Sequence, residues 1–472
     1  MRTDTDSLGS MQIPADVYWG IHTARALENF PITRRAISNH PNLIKALAMV
    51  KQAAARANKE IGVLEPEKAD IIDQVCQEII EGHLHDQFVV GVIQGGAGTS
   101  TNMCANEIIT NRALELMGHE RGEYQYLNPN DDVNRSQSTN DVYPTAIKLA
   151  MILSLHRVLA ELRALTGAFA KKGVEFNDIL KIGRTQLQDA VPMTLGQEFH
   201  GFATTLTEDY DRLREVIPFL SEINLGATAI GTGITADHRY AETVRRHLAD
   251  VTGLDFVTAS DLIEATSDTG VFMTLSGTLK RSAVKLSKIC NDLRLLSSGP
   301  QAGIGEINLP KRQAGSSIMP GKVNPVIPEV VNQVAFSIIG ADATITAASE
   351  GGQLQLNAFE PVIAASMMQS LAWMTNACRT LRVNCVDGIT ANTDRLARQV
   401  ESSVGVVTAL TPYIGYAASA TLAHTALTTN ASIAELVIEA GLMTPEQVER
   451  VLAPERLSGL VPITAAIQLP KP

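Results

Sequence analysis

The chain has 472 residues, 45% hydrophobic and 19% charged, with a formal net charge of −11. That length supports a large core and more than one domain, and the acidic balance excludes a general nucleic-acid binder, which needs concentrated Lys and Arg. A small anionic substrate stays open, because it needs only a local cationic pocket.

Residues 1–6 carry charges with no apolar segment after them, and no unbroken apolar run reaches bilayer length, so a cytoplasmic chain without a membrane segment is expected. Pro41 opens a helix with Leu43, Leu47, Val50 and Ala54 on one face, and Gly62 ends it. Ile71, Ile72, Val75 and Ile79 mark a second helix. His83-Leu84-His85 is the only close histidine pair, and no clustered Cys or carboxylate completes a metal site, so no metal is assigned. Gln87-Phe88-Val89-Val90 has strand character, but Gly91 follows at once and weakens it. Cys76, Cys104, Cys290, Cys378 and Cys385 form no Cys-x-x-Cys pair and suit reduced structural thiols.

Polar runs then interrupt the helical pattern. Gly95-Gly96-Ala97-Gly98-Thr99-Ser100-Thr101-Asn102 exposes backbone N–H groups ahead of a helix, which suits an anion. It lacks the Gly-x-x-x-x-Gly-Lys-Ser/Thr pattern of a nucleotide phosphate loop, and taken alone it reads equally well as a helix cap. Ser136-Gln137-Ser138-Thr139-Asn140-Asp141 precedes Pro144, where a long helix is expected to start and run to about residue 172. One such residue suffices for a cap, so the run exceeds what capping needs. Gly183-Arg184-Thr185-Gln186-Leu187-Gln188-Asp189-Ala190 is a third run. A helix follows from Thr194, with Gln197 as capping-box partner and Phe199, Phe202, Leu206, Leu213 and Ile217 as its apolar stripe. The glycine-rich run at residues 226–233 reads as a turn that permits close backbone approach.

Phe272, Leu275, Leu279, Leu286, Ile289, Leu293 and Leu296 define another long helix, ending at Gly299-Pro300. The run Gly315-Ser316-Ser317-Ile318-Met319-Pro320-Gly321-Lys322-Val323-Asn324-Pro325 then joins two hydroxyls, a cation and an amide in a segment that Gly and Pro keep irregular. Helices starting near Pro328 and Pro361 complete five long helices, which need each other to bury their faces. Ala, Ser and Thr on several faces favour packing against further copies. The tail from about residue 394 reads as a small separate domain with a turn at Pro412-Tyr413-Ile414-Gly415-Tyr416 and two short helices. No Gly-x-Ser-x-Gly elbow and no nicotinamide-type Gly-x-Gly-x-x-Gly after a strand is present. The remaining hydroxyls, amides and lysine suit a small carboxylate-bearing substrate.

With these runs the chain resembles the aspartase/fumarase superfamily, whose signature Gly-Ser-x-x-Met-Pro-x-Lys-x-Asn is met by Gly315, Ser316, Met319, Pro320, Lys322 and Asn324. The other runs match in order over nearly the whole chain. The aspartase branch is the better match. Ser138-Thr139-Asn140-Asp141 has threonine where fumarases carry a second serine, and Arg184-Thr185-Gln186 has glutamine where they carry histidine. Residues 122–129, 321–329 and 352–357 also read like that branch.

The resemblance implies an all-α fold of three domains, placed here at 1–139 (mainly helical), 140–393 (long-helix bundle) and 394–472 (small and helical). It implies a homotetramer whose central helices form one core, with each active site shared by three chains. The implied reaction is reversible elimination of ammonia from L-aspartate to fumarate through an aci-carboxylate, with Ser316 as base. Thr99, Ser138 and Thr139 would grip the β-carboxylate, with Ser317 joining them on loop closure. Lys322 and Asn324 would hold the α-carboxylate, and Thr185, Gln186 and Asn140 would lie near the amino group. Gln186 suits that place, since an amide accepts from an ammonium and stays uncharged. No cofactor is implied, and the Mg²⁺ activation known in some relatives is not legible in the residues. Where relatives often carry lysine-rich sequence, residues 417–424 are nearly uncharged, which leaves the role of the third domain open. The competing readings are a fumarase, acting on L-malate, and a catalytically silent helical scaffold.

Overall fold

The computed structural model describes residues 1–459. Long helices dominate, and the strands form four short two-stranded ribbons among the described residues. Two compact units interleave along the chain. One is built from Met1–Ala160, Asp209–Val284 and Val334–Asn376, the other from Glu161–Glu208, Lys285–Gln333 and the chain from Ala377 onward.

The local signals behave as their chemistry dictates. The helix Pro41–Ile61 has proline in its first turn, and Gly62 closes it at φ 81°, its N–H donating to the carbonyls of Asn58 and Lys59. Leu43, Leu47, Val50 and Ala54 are buried, as their spacing predicts. At Leu195–Arg214 the capping box forms: Gln197 N–H donates to Thr194 Oγ1 at 3.0 Å, and Thr194 N–H to Gln197 Oε1 at 2.8 Å. The other long helices span Gly270–Leu296, Val326–Glu350 and Glu360–Asn384.

Two expectations change. The helix expected from Pro144 spans Thr139–Glu175, with the proline inside it. Pro144 has no N–H for the Asn140 carbonyl, and Asn224 Nδ2 donates to that oxygen instead, at 3.0 Å. The tail contains more than two short helices: Thr393–Ser402, Val407–Ile414, Tyr416–Thr429, Ile433–Glu439, Pro445–Val451 and Pro454–Leu457. Pro412 lies within one of them, and the break comes at Gly415. Val326–Glu350 is long and apolar enough on average to cross a bilayer, by length and composition only. Glu329, Asn332 and Asp342 interrupt it, which is why no unbroken run is visible in the sequence.

Two arrangements position the polar runs. Phe169, Phe176, Phe199 and Phe202 interlock with ring centroids 5.2–6.1 Å apart, joining the end of Thr139–Glu175 to Leu195–Arg214. Each such pair adds about 0.5–1.5 kcal/mol beyond area burial. Between these helices the chain projects an antiparallel hairpin, Leu180–Thr185 with Gln188–Thr194. The third polar run is therefore a hairpin tip, which its glycine and polar composition did not reveal.

Candidate active site

In the first unit, Gly96, Ala97 and Gly98 all take positive φ (86°, 53° and 90°) and turn the chain into the helix Thr99–Leu116. A Cβ on Gly98 would stand 2.2 Å from the Tyr143 ring, so only glycine lets this turn lie on the start of the Thr139–Glu175 helix. Thr99 is exposed at the helix start, and its hydroxyl donates to the Gly96 carbonyl at 2.8 Å. It must rotate before it can donate to a ligand.

Ser138, Thr139 and Asn140 are half-buried, and Asn102, in the first turn of the helix that Thr99 opens, bonds Thr139. Ser138 Oγ accepts from Asn140 N–H at 3.2 Å, and Thr139 Oγ1 accepts from Asn102 Nδ2 at 3.1 Å. Both hydroxyls thus receive a hydrogen bond from the protein and keep their own proton to donate, the state a carboxylate needs. Asn140 Nδ2 donates to Ala229 O at 2.7 Å, which brings the glycine-rich run to this turn. Asp141 is fully buried and accepts three backbone N–H groups: Ser138 at 3.0 Å, Gly226 at 3.0 Å and Thr228 at 2.9 Å. Burial pushes its carboxyl up to about 6, against the opposing pull of those bonds and of Lys51.

Thr185, Gln186, Ser316, Ser317, Lys322 and Asn324 belong to the second unit. Thr185 and Gln186 are exposed at the hairpin tip, where Gln186 and Leu187 both take positive φ (53° and 64°) without being glycine. The hairpin base is anchored by Glu306, whose side chain is fully buried. Its carboxylate meets Lys181 at 2.8 Å and Arg184 at 2.5 Å.

Residues 315–324 form a loop pinched at its ends. Gly315 N–H donates to Lys322 O at 2.8 Å, and Asn324 Nδ2 donates to Gly315 O at 2.8 Å. A Cβ on Gly315 would lie 2.6 Å from Lys322 O, so the pinch requires glycine. Ser316 Oγ accepts two backbone N–H bonds, from Ile318 at 3.1 Å and Met319 at 2.9 Å. Ser317 and Lys322 are exposed along the same loop. Among the described residues, no group of three or more His, Cys, Asp or Glu is placed to hold a metal ion.

The family model described as "Lyase" matches residues 9–340, and that described as "Fumarase C C-terminus" matches residues 406–459. An aspartate ammonia-lyase of Pseudomonas aeruginosa is 58% identical over 467 residues, covering 98% of each chain. One from Escherichia coli is 52% identical over 458 residues, covering 97% of this chain and 96% of that one. The chain belongs to the aspartase/fumarase superfamily. Among solved structures, a Brucella melitensis fumarate lyase:delta crystallin bound to cobalt has a TM-score of 0.94 at 54% identity, covering 97% of this chain and 99% of that one. A class II fumarase of Schistosoma mansoni has a TM-score of 0.92 at 34% identity, covering 97% of this chain and 99% of that one. The all-α fold that the resemblance implied is the fold of this superfamily, and the chain is a carbon–nitrogen lyase of its aspartase branch.

In this aspartase-branch lyase the structure adds residues that the motifs did not single out for a role. Asp141 was visible only as the end of a polar run, yet it ties that run to the turn at 226–228. Glu306 belonged to no motif, and its two cations lie more than a hundred residues earlier.

Proposed function

We propose that this lyase catalyses the reversible elimination of ammonia from L-aspartate to give fumarate, with Ser316 as the base. The observation that carries the reading is the pair of backbone N–H groups aimed at Ser316 Oγ. Hydrogen bonds to the charged form of a group favour that form, so these bonds support a serine held as alkoxide. The alkoxide takes the C3 proton, and the C–H electron pair moves into the β-carboxylate to form an aci-carboxylate. That dianion collapses to the C2–C3 double bond as the C–N pair leaves with ammonia.

The hydroxyls of Ser138 and Thr139, each accepting a bond from the protein and free to donate its proton, suit the charge that develops on the β-carboxylate, where aimed donors contribute most. Thr99 and, on loop closure, Ser317 add to that grip. Lys322 and Asn324 hold the α-carboxylate; Thr185, Gln186 and Asn140 face the amino group. No step draws on a metal. The names of the relatives support the substrate.

The site is completed in a homotetramer, from three chains. Val330, Phe336 and Ile339 on Val326–Glu350, and Trp373 and Val383 on Glu360–Asn384, are exposed large apolar residues that suit burial against further copies. Five buried free thiols suit a reducing cytoplasm.

Purified protein incubated separately with L-aspartate and L-malate, with fumarate followed by ultraviolet absorbance, tests the reading. Fumarate from aspartate alone is expected. Fumarate from malate alone would transfer the chain to the hydratase chemistry.

A further inference from the structure

Lys51 lies in the helix Pro41–Ile61, is 0% exposed, and carries no role in any motif. Its ammonium donates to two neutral amides, Asn134 Oδ1 at 3.0 Å and Gln137 Oε1 at 2.9 Å. A buried ammonium held only by neutral oxygens is costly, and a chain retains one where the charge has a use.

The bonds around it lead to the substrate turn. Asn134 Oδ1 also accepts from Asn102 Nδ2 and Asn106 Nδ2, both at 3.1 Å. Asn102 Nδ2 donates onward to Thr139 Oγ1 at 3.1 Å. Gln137, oriented by the same ammonium, donates to the carbonyls of Val133 and Arg135 at 3.0 Å, and Asn134 Nδ2 donates to Gln137 O at 3.1 Å. These bonds close the turn immediately before Ser138. A lysine offers only donors, so it fixes both amides with their oxygens inward. Asn102 then keeps its N–H on Thr139 Oγ1, and the Thr139 proton is left for the ligand. The backbone carbonyls of Val133, Arg135 and Gln137 hold the amide nitrogens on the other side, and the ammonium reinforces that orientation by supplying the donors to Asn134 Oδ1 and Gln137 Oε1.

We propose that Lys51 is a positioning residue of this lyase: its ammonium orients Asn134 and Gln137, keeps the Thr139 hydroxyl proton outward, and places a buried positive charge behind the turn that receives the dicarboxylate. In the dry interior that charge is weakly screened. Burial pulls the Lys51 amine down to about 7, with Asp141 opposing, so the charged form belongs to the acidic side of pH 7, where the comparisons below are made.

The inference rests on the substrate-site reading given above, so the test separates the two. Lys51→Met, Thr139→Val and the double variant are compared by kcat/KM for L-aspartate, by the Kd of succinate (an unreactive dicarboxylate), and by thermal melting. Lys51→Met keeps the volume and removes a buried charge but leaves Gln137 Oε1 without its donor, so its melting is expected to stay within a few degrees of wild type and its kinetics are corrected for the folded fraction. Its kcat/KM is expected to fall at least tenfold and its succinate Kd to rise at least fivefold. Thr139→Val should weaken succinate as well, and the double variant should lose less than the product of the single losses. Wild-type kcat/KM and succinate affinity in Lys51→Met would overturn this inference alone, as would losses that track only the fraction of folded protein or that multiply in the double variant. Unchanged succinate binding in Thr139→Val would overturn the site reading, and this inference with it. If Lys51→Met does not accumulate as folded protein, Asn102→Ala interrupts the same chain and must raise the succinate Kd; an unchanged Kd there overturns the inference.

Discussion

Replacing Asp141 with asparagine separates the cost of burying its charge from the bonds it makes. The carboxylate accepts Ser138 N–H on one oxygen and Gly226 and Thr228 N–H on the other. The amide has one oxygen. Keeping it on Gly226 and Thr228 leaves its NH₂ against the Ser138 N–H, and an unsatisfied buried donor costs about 1–3 kcal/mol. The variant also escapes a penalty. Burial raises the folded carboxyl from 3.8 to about 6, and at 1.36 kcal/mol per unit this is about 3 kcal/mol. Because the folded value lies above the unfolded one, wild type carries none of that penalty below pH 3.8, a growing share up to pH 6, and all of it above.

The deficit of Asp141→Asn should therefore shrink as pH rises. About 2 kcal/mol should separate its value near pH 4.5 from its value near pH 8. Near pH 8 Asp141→Asn should be as stable as wild type or up to about 2 kcal/mol more stable, while the unanchored 138–140 turn lowers kcat/KM at least tenfold. Urea unfolding followed by far-ultraviolet circular dichroism at both pH values, with steady-state kinetics near pH 8, measures both. A deficit that is flat or grows with pH, or full activity, would refute the reasoning.

Gly98→Ala should cost about 3 kcal/mol or more, since it combines a left-handed backbone with overpacking against Tyr143; the midpoint of chemical unfolding reads it. Glu306→Ala should cost about 3 kcal/mol, the low end for a broken buried pair because Lys181 keeps Glu198 at 2.5 Å. It should also raise KM by loosening the hairpin tip, and a normal KM would exclude that coupling. Phe336→Glu, at a residue 61% exposed in the single chain, should dissociate the proposed tetramer and abolish activity. Light scattering with parallel assay decides this, and a fully active monomer would remove the shared-site proposal.

The long helices were legible because their ends carry local chemistry: Pro41 and Gly62, the Thr194 and Gln197 box, and apolar spacing between. The start at Thr139 was not, because the group that makes Pro144 tolerable is the side chain of Asn224, 84 residues from the Asn140 carbonyl it bonds. The signature loop was readable as an irregular polar segment, but its pinch at Gly315 depends on Lys322 O and Asn324 Nδ2, which spacing alone does not bring together. Asp141 and Lys51 show the same limit. Their types are plain in the sequence, and their roles come from partners that only the fold supplies.

Ser316→Ala tests the central claim most directly. Single turnovers of L-aspartate and the Kd of succinate are compared with wild type. The account predicts turnover reduced at least about a hundredfold, the low end for loss of a general base, with succinate bound within about twofold. Wild-type turnover in Ser316→Ala would contradict it and remove Ser316 as the base.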